Sequence, residues 1–294
     1  MNQVKISGFT IIKNAVINNY PIVEAIQSVL PVVDEMIVLI GDCEDETEKL
    51  IQSINNPKIK IHHSVWNKNL KTGGVVLADE TNKAFQLINP ESTWAFYIQG
   101  DEVIHENGYE NILQACEKYK DDKKVEGLLF KYIHFYGTFD YIGDSRKWYN
   151  REIRIIRNDK NILSYKDAQG FRYLGKRKLN VKLIDAYVHH YGWVKSPEQM
   201  MKKLQEQDKY WATVKKGKDK SASNSYDFED NYDSLQRFTG THPLVIQKRI
   251  HEINWHIELD TSKKVMNLKK RFMYKLEQLT GKRFFDFKNY KILK

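Results

Sequence analysis

The stretch Trp94-Ala95-Phe96-Tyr97-Ile98-Gln99-Gly100-Asp101-Glu102 decides how this chain folds. Five apolar or aromatic residues lead into Gln-Gly and two adjacent carboxylates. A short apolar run bounded by glycine suits the middle of a parallel sheet, whose strands are covered on both faces. In open α/β sheets ligands gather at the carboxyl ends of such strands, which is where Asp101 and Glu102 fall. Adjacent carboxylates repel, so they must stay hydrated, take up a proton or share a cation. A hard divalent cation held there can bridge a diphosphate. A solvated acidic turn is the plainer reading of this stretch taken alone.

The flanking sequence repeats the strand signal. Residues 4–12 alternate and then run apolar, a first strand followed by a polar loop over 14–20. Pro21 opens a helix with Ile22, Ile26 and Val29 on one face. Residues 36–40 form a second buried strand, after which Gly41-Asp42-Cys43-Glu44 turns into a helix with Asp45 and Glu48 at capping-box spacing. Residues 58–65 give a third strand, Gly73-Gly74 precedes a helix through Ile88, and Asn89-Pro90 ends it before the Trp94 strand. The succession βαβαβαβ predicts an α/β fold, a mostly parallel Rossmann-like sheet with helices on both faces.

Beyond the acidic turn the pattern predicts a helix over 107–119 and strands over 127–135, 153–156 and 181–191, the last ending in His189-His190-Tyr191-Gly192-Trp193. Ser196-Pro197-Glu198-Gln199 is a capping-box helix start, expected to run to about Val214. Residues 215–225 are poor in apolar side chains and read as a mobile linker. The expected division is one domain over 1–213, then a linker and a helical basic extension over 214–294.

The chain has 294 residues and a formal charge of +9, which favours anionic partners. Eleven Lys or Arg against only Glu277 and Asp286 fall in residues 263–294. There Val265, Leu268, Phe272, Leu276 and Leu279 stand at helical spacing among Lys269, Lys270, Arg271 and Lys275, an amphipathic basic helix that would pack on the body or dock on an anionic membrane. Cys43 and Cys116 are too far apart for a metal or redox motif, no run reaches membrane-spanning length, and the short apolar run at 9–12 is no signal peptide. A cytoplasmic protein is expected. His62-His63 in the third strand reads as structural, and Arg146, Arg151, Arg154 and Arg157 as a basic strand edge. Seventeen Tyr, 13 Phe and 6 Trp suit a thick core, with some aromatics between 132 and 149 free to stack on a sugar. Neither G-x-G-x-x-G, a Walker-type loop nor H-E-x-x-H occurs, so phosphate would be met by a metal and basic side chains.

Polar residues collect just after strands: Thr10 and Asn14, Asp42, then Gln99, Asp101 and Glu102. In a parallel sheet these loops share one edge and can meet over a nucleotide-sized ligand. The order Phe9-Thr10-Ile11-Ile12-Lys13-Asn14, then Gly41-Asp42-Cys43-Glu44-Asp45-Glu46-Thr47, then Gln99-Gly100-Asp101-Glu102 resembles family 2 glycosyltransferases of the GT-A fold, over about the first 200 residues. The resemblance implies transfer of a sugar, with inversion, from a nucleotide-sugar donor, UDP-linked by preference, to a saccharide or lipid-linked acceptor in cell-surface polysaccharide or glycoconjugate synthesis.

It implies a D-x-D motif whose last Asp is Asp101, holding Mn or Mg, with Gln99 at the first position and Glu102 assisting. By the same resemblance His190 joins the metal, and Asp42, Thr10 and Asn14 contact the nucleotide. Asn82, in Thr81-Asn82-Lys83-Ala84, matches an Arg-Asn segment, and Asp167 matches the general base that takes the acceptor's proton. The rivals are a sugar-nucleotide pyrophosphorylase, which would want a Gly-rich, Arg-bearing first loop, and a non-enzymatic anion-binding module for RNA or membrane. No RNA-binding strand motif is present, and no nucleic-acid partner is expected.

Overall fold

The computed structural model describes residues 4–208 and 225–294. The chain begins β1 (Ile6–Ile12), α1 (Ile22–Val29), β2 (Glu35–Ile40), α2 (Thr47–Gln52), β3 (Ile59–His63), α3 (Val75–Gln86) and β4 (Trp94–Tyr97). It continues with β5 (Glu102–Ile104), α4 (Tyr109–Tyr119), β6 (Gly127–Gly143), β7 (Arg151–Arg157), β8 (Ile162–Tyr165), β9 (Gly170–Tyr173), β10 (Arg177–Lys178) and β11 (Asn180–Val194). Last come α5 (Pro197–Asp208), β12 (Leu235–Arg237), α6 (Gln247–His251), α7 (Leu268–Thr280) and β13 (Lys291–Ile292).

The main sheet has the order β13-β11-β6-β7-β4-β1-β2-β3, and only β7 runs against both of its neighbours there. Strands β8 to β10 form a separate antiparallel sheet. Alternation along β1 divides the core, because successive side chains of a strand point to opposite faces. Ile6 and Ile12 pack with Ala25, Ile26 and Val29 of α1 and Ile112 of α4. Phe9 and Ile11 pack on the other face with Val76, Ala84 and Phe85 of α3. Each Ile, Val or Phe among them contributes about 1.5–3 kcal/mol on removal from water. The α/β class, with helices on both faces, is as expected.

Three expectations change. The capping box at Asp45 does not form: α2 starts at Thr47, and Asp45 accepts from the backbone N–H of Thr47 (3.1 Å) and of Ile17 (2.9 Å), pinning the loop after β1. The strand expected over 127–135 runs on to Gly143, where its aromatic residues meet the C-terminal segment.

The expected boundary at 213/214 is not a boundary between packing units. Tyr226, Phe228, Tyr232, Leu235 and Leu259 share a buried cluster with Tyr136, Tyr141 and Trp148, while β12 and β13 extend the main sheet. Apolar side chains scattered without period carried this join, so composition missed it. The continuation of α5 to Val214 and the linker expected over 215–225 lie outside the described residues, apart from Ser225. Among the described residues no helix is long and apolar enough to cross a membrane.

Candidate functional site

The loops at the carboxyl ends of β1, β3 and β4 open onto a cleft of about 290 Å³, closed on the far side by the 166–170 loop, β11 and α5. Ile12, Lys13 and Asn14 line it from β1, Trp66 from the segment after β3, and Gln99, Gly100 and Asp101 from the turn after β4. Asp167 and Ala168 face it from the loop between β8 and β9, His190 and Trp193 from β11, and Lys203 from α5.

Asp101 and Glu102, adjacent in sequence, part company. Glu102 is fully buried and accepts from Arg154 Nε (2.8 Å) and Nη2 (2.6 Å), Tyr132 Oη (2.8 Å) and the backbone N–H of Gln99 (3.2 Å). All its acceptor capacity is used inside the protein, so the expected assistance to a metal is corrected. Arg154 is likewise a buried partner and no member of a solvated basic edge.

Asp101 faces the cleft. Its Oδ2 lies 3.4 Å from Lys203 Nζ and 3.6 Å from His190 Nε2. Lys203 also donates to the Gly192 carbonyl (2.7 Å), and Lys195 donates to the Asn19 carbonyl (2.8 Å). Burial opposes ionisation of Asp101, but the His190 imidazole and the Lys203 and Lys195 ammonium groups outweigh it and hold the carboxyl at about 2. Burial in turn lowers the His190 ring and both lysines, Lys195 furthest, while Asp101 pulls each of them back up.

Hydrogen bonds fix the tautomer of that ring. The Tyr149 carbonyl can only accept, so His134 donates to it from Nε2 (2.7 Å). Burial holds His134 neutral, which leaves its Nδ1 as an acceptor for His190 Nδ1–H (3.4 Å). With His190 neutral, its Nε2 lone pair faces the Asp101 carboxylate at 3.6 Å.

These two electron-rich atoms are 3.6 Å apart, so a cation held by both would sit to one side of the line joining them, where the backbone has to leave room. Gly192 keeps that room: a Cβ there would come within 2.4 Å of Asp101 Oδ2 and 2.9 Å of His190 Nε2. One carboxylate and one imidazole anchored through its other nitrogen are side chains that could supply two ligands to a divalent cation. Among the described residues no group of three or more His, Cys, Asp or Glu side chains gathers as a closed metal site.

Gln99 has other work. Its Nε2 donates to the Ala168 carbonyl (3.2 Å), a bond that a carboxylate at this position could not donate. It so ties the acidic turn to the loop carrying Asp167, where both Lys166 (φ 55°) and Ala168 (φ 60°) hold left-handed backbone uncommon outside glycine. Asn14, also left-handed (φ 53°), lines the cleft and accepts from the Glu44 backbone N–H (2.8 Å). Asp42 stands one layer back, paired with Lys13 (2.7 Å) and accepting from the Trp66 backbone N–H (3.2 Å), so it positions two lining residues.

Two expected nucleotide contacts fall away from the cleft. Thr10 is buried inside β1, and Asn82 accepts from the Ser164 backbone N–H (2.7 Å), joining α3 to β8. His62 and His63 lie in β3 away from the cleft, and His63 pairs with Glu48 (3.0 Å). Of the cleft residues that sequence reading passed over, Trp66 was open to the same rule of looking just past a strand. Lys203 was not, because nothing in Met200-Met201-Lys202-Lys203 tells one lysine from the other.

No protein-family model matches the chain, and no curated protein sequence matches it. Among solved structures, the 1–349 segment of S. aureus TarS in complex with UDP-GlcNAc is similar at 17% identity and a TM-score of 0.39, over 69% of this chain and 65% of that one. This chain spans 39% of the longer TarS chain. Glucosyl-3-phosphoglycerate synthase from Mycobacterium tuberculosis, in complex with Mn2+, UDP and phosphoglyceric acid, is similar at 15% identity and a TM-score of 0.31, over 45% of this chain and 43% of that one. 4-Diphosphocytidyl-2C-methyl-D-erythritol synthase from Anaerococcus prevotii is similar at 11% identity and a TM-score of 0.38, over 70% of this chain and 97% of that one.

Proposed function

We propose that this chain is a glycosyltransferase that moves a sugar from a nucleotide-sugar donor to an acceptor hydroxyl with inversion. The observation that carries the reading is the convergence of Asp101, the His190 lone pair and Lys203 at the carboxyl edge of the sheet, with Asp167 lining the same cleft. Convergent polar groups in a preformed cleft at such an edge mark a ligand site.

Trp66, Lys13 and Asn14 would hold the nucleoside, UDP being the favoured donor, and Lys203 would meet its diphosphate. Asp101 and His190 would hold a divalent cation, which when bound neutralises charge on the leaving diphosphate. Asp167 would take the proton of the acceptor hydroxyl while its oxygen bonds to the anomeric carbon. The bond from that carbon to the diphosphate breaks in the same step, and its electron pair leaves with the nucleoside diphosphate. Lys203 is set to stabilise the charge that grows there. A saccharide or lipid-linked acceptor, for a cell-surface polysaccharide made from the cytoplasmic side, completes the proposal.

The test is thermal unfolding with UDP, GDP, CDP or dTDP, each with and without Mn, on the wild type and Asp101→Asn. Saturation at about a hundred times the dissociation constant adds about 2.7 kcal/mol. The expected result is a Mn-dependent rise with UDP that Asp101→Asn loses. No rise with any nucleotide would sink the reading.

A further inference from the structure

Helix α7 attaches to the body by its polar side. Tyr274 donates to Asp144 (2.7 Å), and Glu277 takes Arg146 (3.3 Å) and Arg283 (2.5 Å). Asp286, the other carboxylate of residues 263–294, is held by the same two arginines. Of the two expected placements of the apolar stripe, packing on the body holds only for half-buried Leu276, and the rest of the stripe faces out. Leu268, Phe272 and Leu279, joined by Phe285 and Phe287 beyond the helix, are 65–97% exposed among the described residues. Phe285 holds a left-handed backbone (φ 59°), rare for a bulky side chain, while presenting its ring to solvent.

Charge frames this stripe with one sign. At 100° per residue, Arg271 and Lys275 flank one side of the line through Leu268, Phe272 and Leu279, and Lys269 the other. With both local carboxylates taken, none of these three cations has an ion-pair partner among the described residues. Exposed rings and leucines between unpaired cations complement a surface that is anionic outside and apolar beneath, which is a bilayer interface.

We infer that α7 and the Phe285–Phe287 turn form a docking face for an anionic lipid surface. The face connects to the cleft, because Arg283 donates to the Trp148 carbonyl (2.5 Å) beside cleft-lining Tyr149. Lipid docking would bring the cleft to a membrane, and it stands whether or not the chain transfers sugar.

The experiment is co-sedimentation of the full chain with phosphatidylcholine vesicles, with and without about one-third phosphatidylglycerol. Each basic residue near an anionic surface raises partitioning about fivefold, and salt screens it. Binding to the anionic vesicles only, weakened by salt, is expected. Phe272→Asp with Phe285→Asp should lower it at least tenfold, as should Lys269→Glu with Arg271→Glu, while the unfolding midpoint stays unchanged. Absence of wild-type binding to anionic vesicles overturns the proposal, as does wild-type-like binding by both variants. So does a dimer that Phe272→Asp dissolves without any vesicle binding, since a second copy would then cover the face.

Discussion

Two charged clusters grow from one turn of chain, around Asp101 and around Glu102, and they are finished differently. The Glu102 cluster is closed: the carboxylate's partners are all internal, and the remaining Arg154 nitrogen donates to the Ile153 and Gln169 carbonyls (both 2.9 Å). The Asp101 cluster is open, with longer contacts, an inward-facing lone pair and two lysines around one carboxylate. A closed buried pair resists disturbance because removing one partner strands the other in low dielectric. An open one keeps charge ready for a ligand. Position in sequence does not distinguish the two carboxylates, but the number of partners does.

The sharpest way to break this comparison is to treat the two cations alike. Arg154→Met strands Glu102 and should cost about 3–5 kcal/mol in urea unfolding. Lys203→Met should change stability by less than about 1 kcal/mol and slow transfer about 10²-fold, the scale of losing one charge-stabilising donor. Equal loss of stability in the two variants would mean that both clusters are structural.

Parallel strands and their carboxyl-end loops were legible because they follow from local pattern. Apolar runs of strand length, each ended by Gly, Asn or Asp, put Asn14 and Asp101 at one edge, and Asp42 just behind it. The capping box at Ser196 formed where its spacing said, while the one at Asp45 lost to a loop that also needed that carboxylate. What pattern could not supply was partnership across the chain. Glu102 meets Arg154 fifty-two residues on, Asp101 meets Lys203 over a hundred on, and Gln99 bonds to Ala168. These choices rest on β7, β11 and α5 packing against the first half. Thr10 and Asn82 failed as nucleotide contacts for the same reason, since the fold turned one into the strand core and gave the other a backbone partner in β8.

Glu152 extends the comparison to a carboxylate with too few partners. It is buried with one short-range donor, the Ile153 backbone N–H (2.9 Å). Burial pushes its pKa up to about 7 against the pull of Arg154, from an ordinary 4.5. Between those values the folded protein holds a proton that the unfolded chain has released, so stability falls as pH rises through the window and levels off above it. The loss should reach about 3 kcal/mol. Glu152→Gln cannot titrate. Its urea-unfolding free energy should exceed the wild type's at pH 8 and lack this part of the slope between pH 5 and 8. Parallel slopes in the two proteins would show that Glu152 finds a partner on ionising.

The smallest effect asks whether the open cluster depends on the frame behind it. Lys203 is carried by α5, whose start is fixed by Ser196 Oγ accepting from the Gln199 backbone N–H (3.2 Å) and by Gln199 Oε1 facing the Ser196 N–H (3.4 Å). Asn19, in the loop after β1, donates to that same Gln199 oxygen (3.1 Å), so the cap also joins the helix to the β1 side of the cleft. Ser196→Ala removes the cap and should lower unfolding free energy by about 1 kcal/mol, whereas Ser196→Asp, another good cap, should restore most of it. If binding the diphosphate must first order the first turns of α5, the same deficit should appear as an up to about fivefold higher KM for the donor, with kcat little changed. A stability loss without a KM change would mean that the buried Met200 and Met201 hold Lys203 in place unaided. Packing beneath the cluster, and no longer the capping box, would then keep it open and in register.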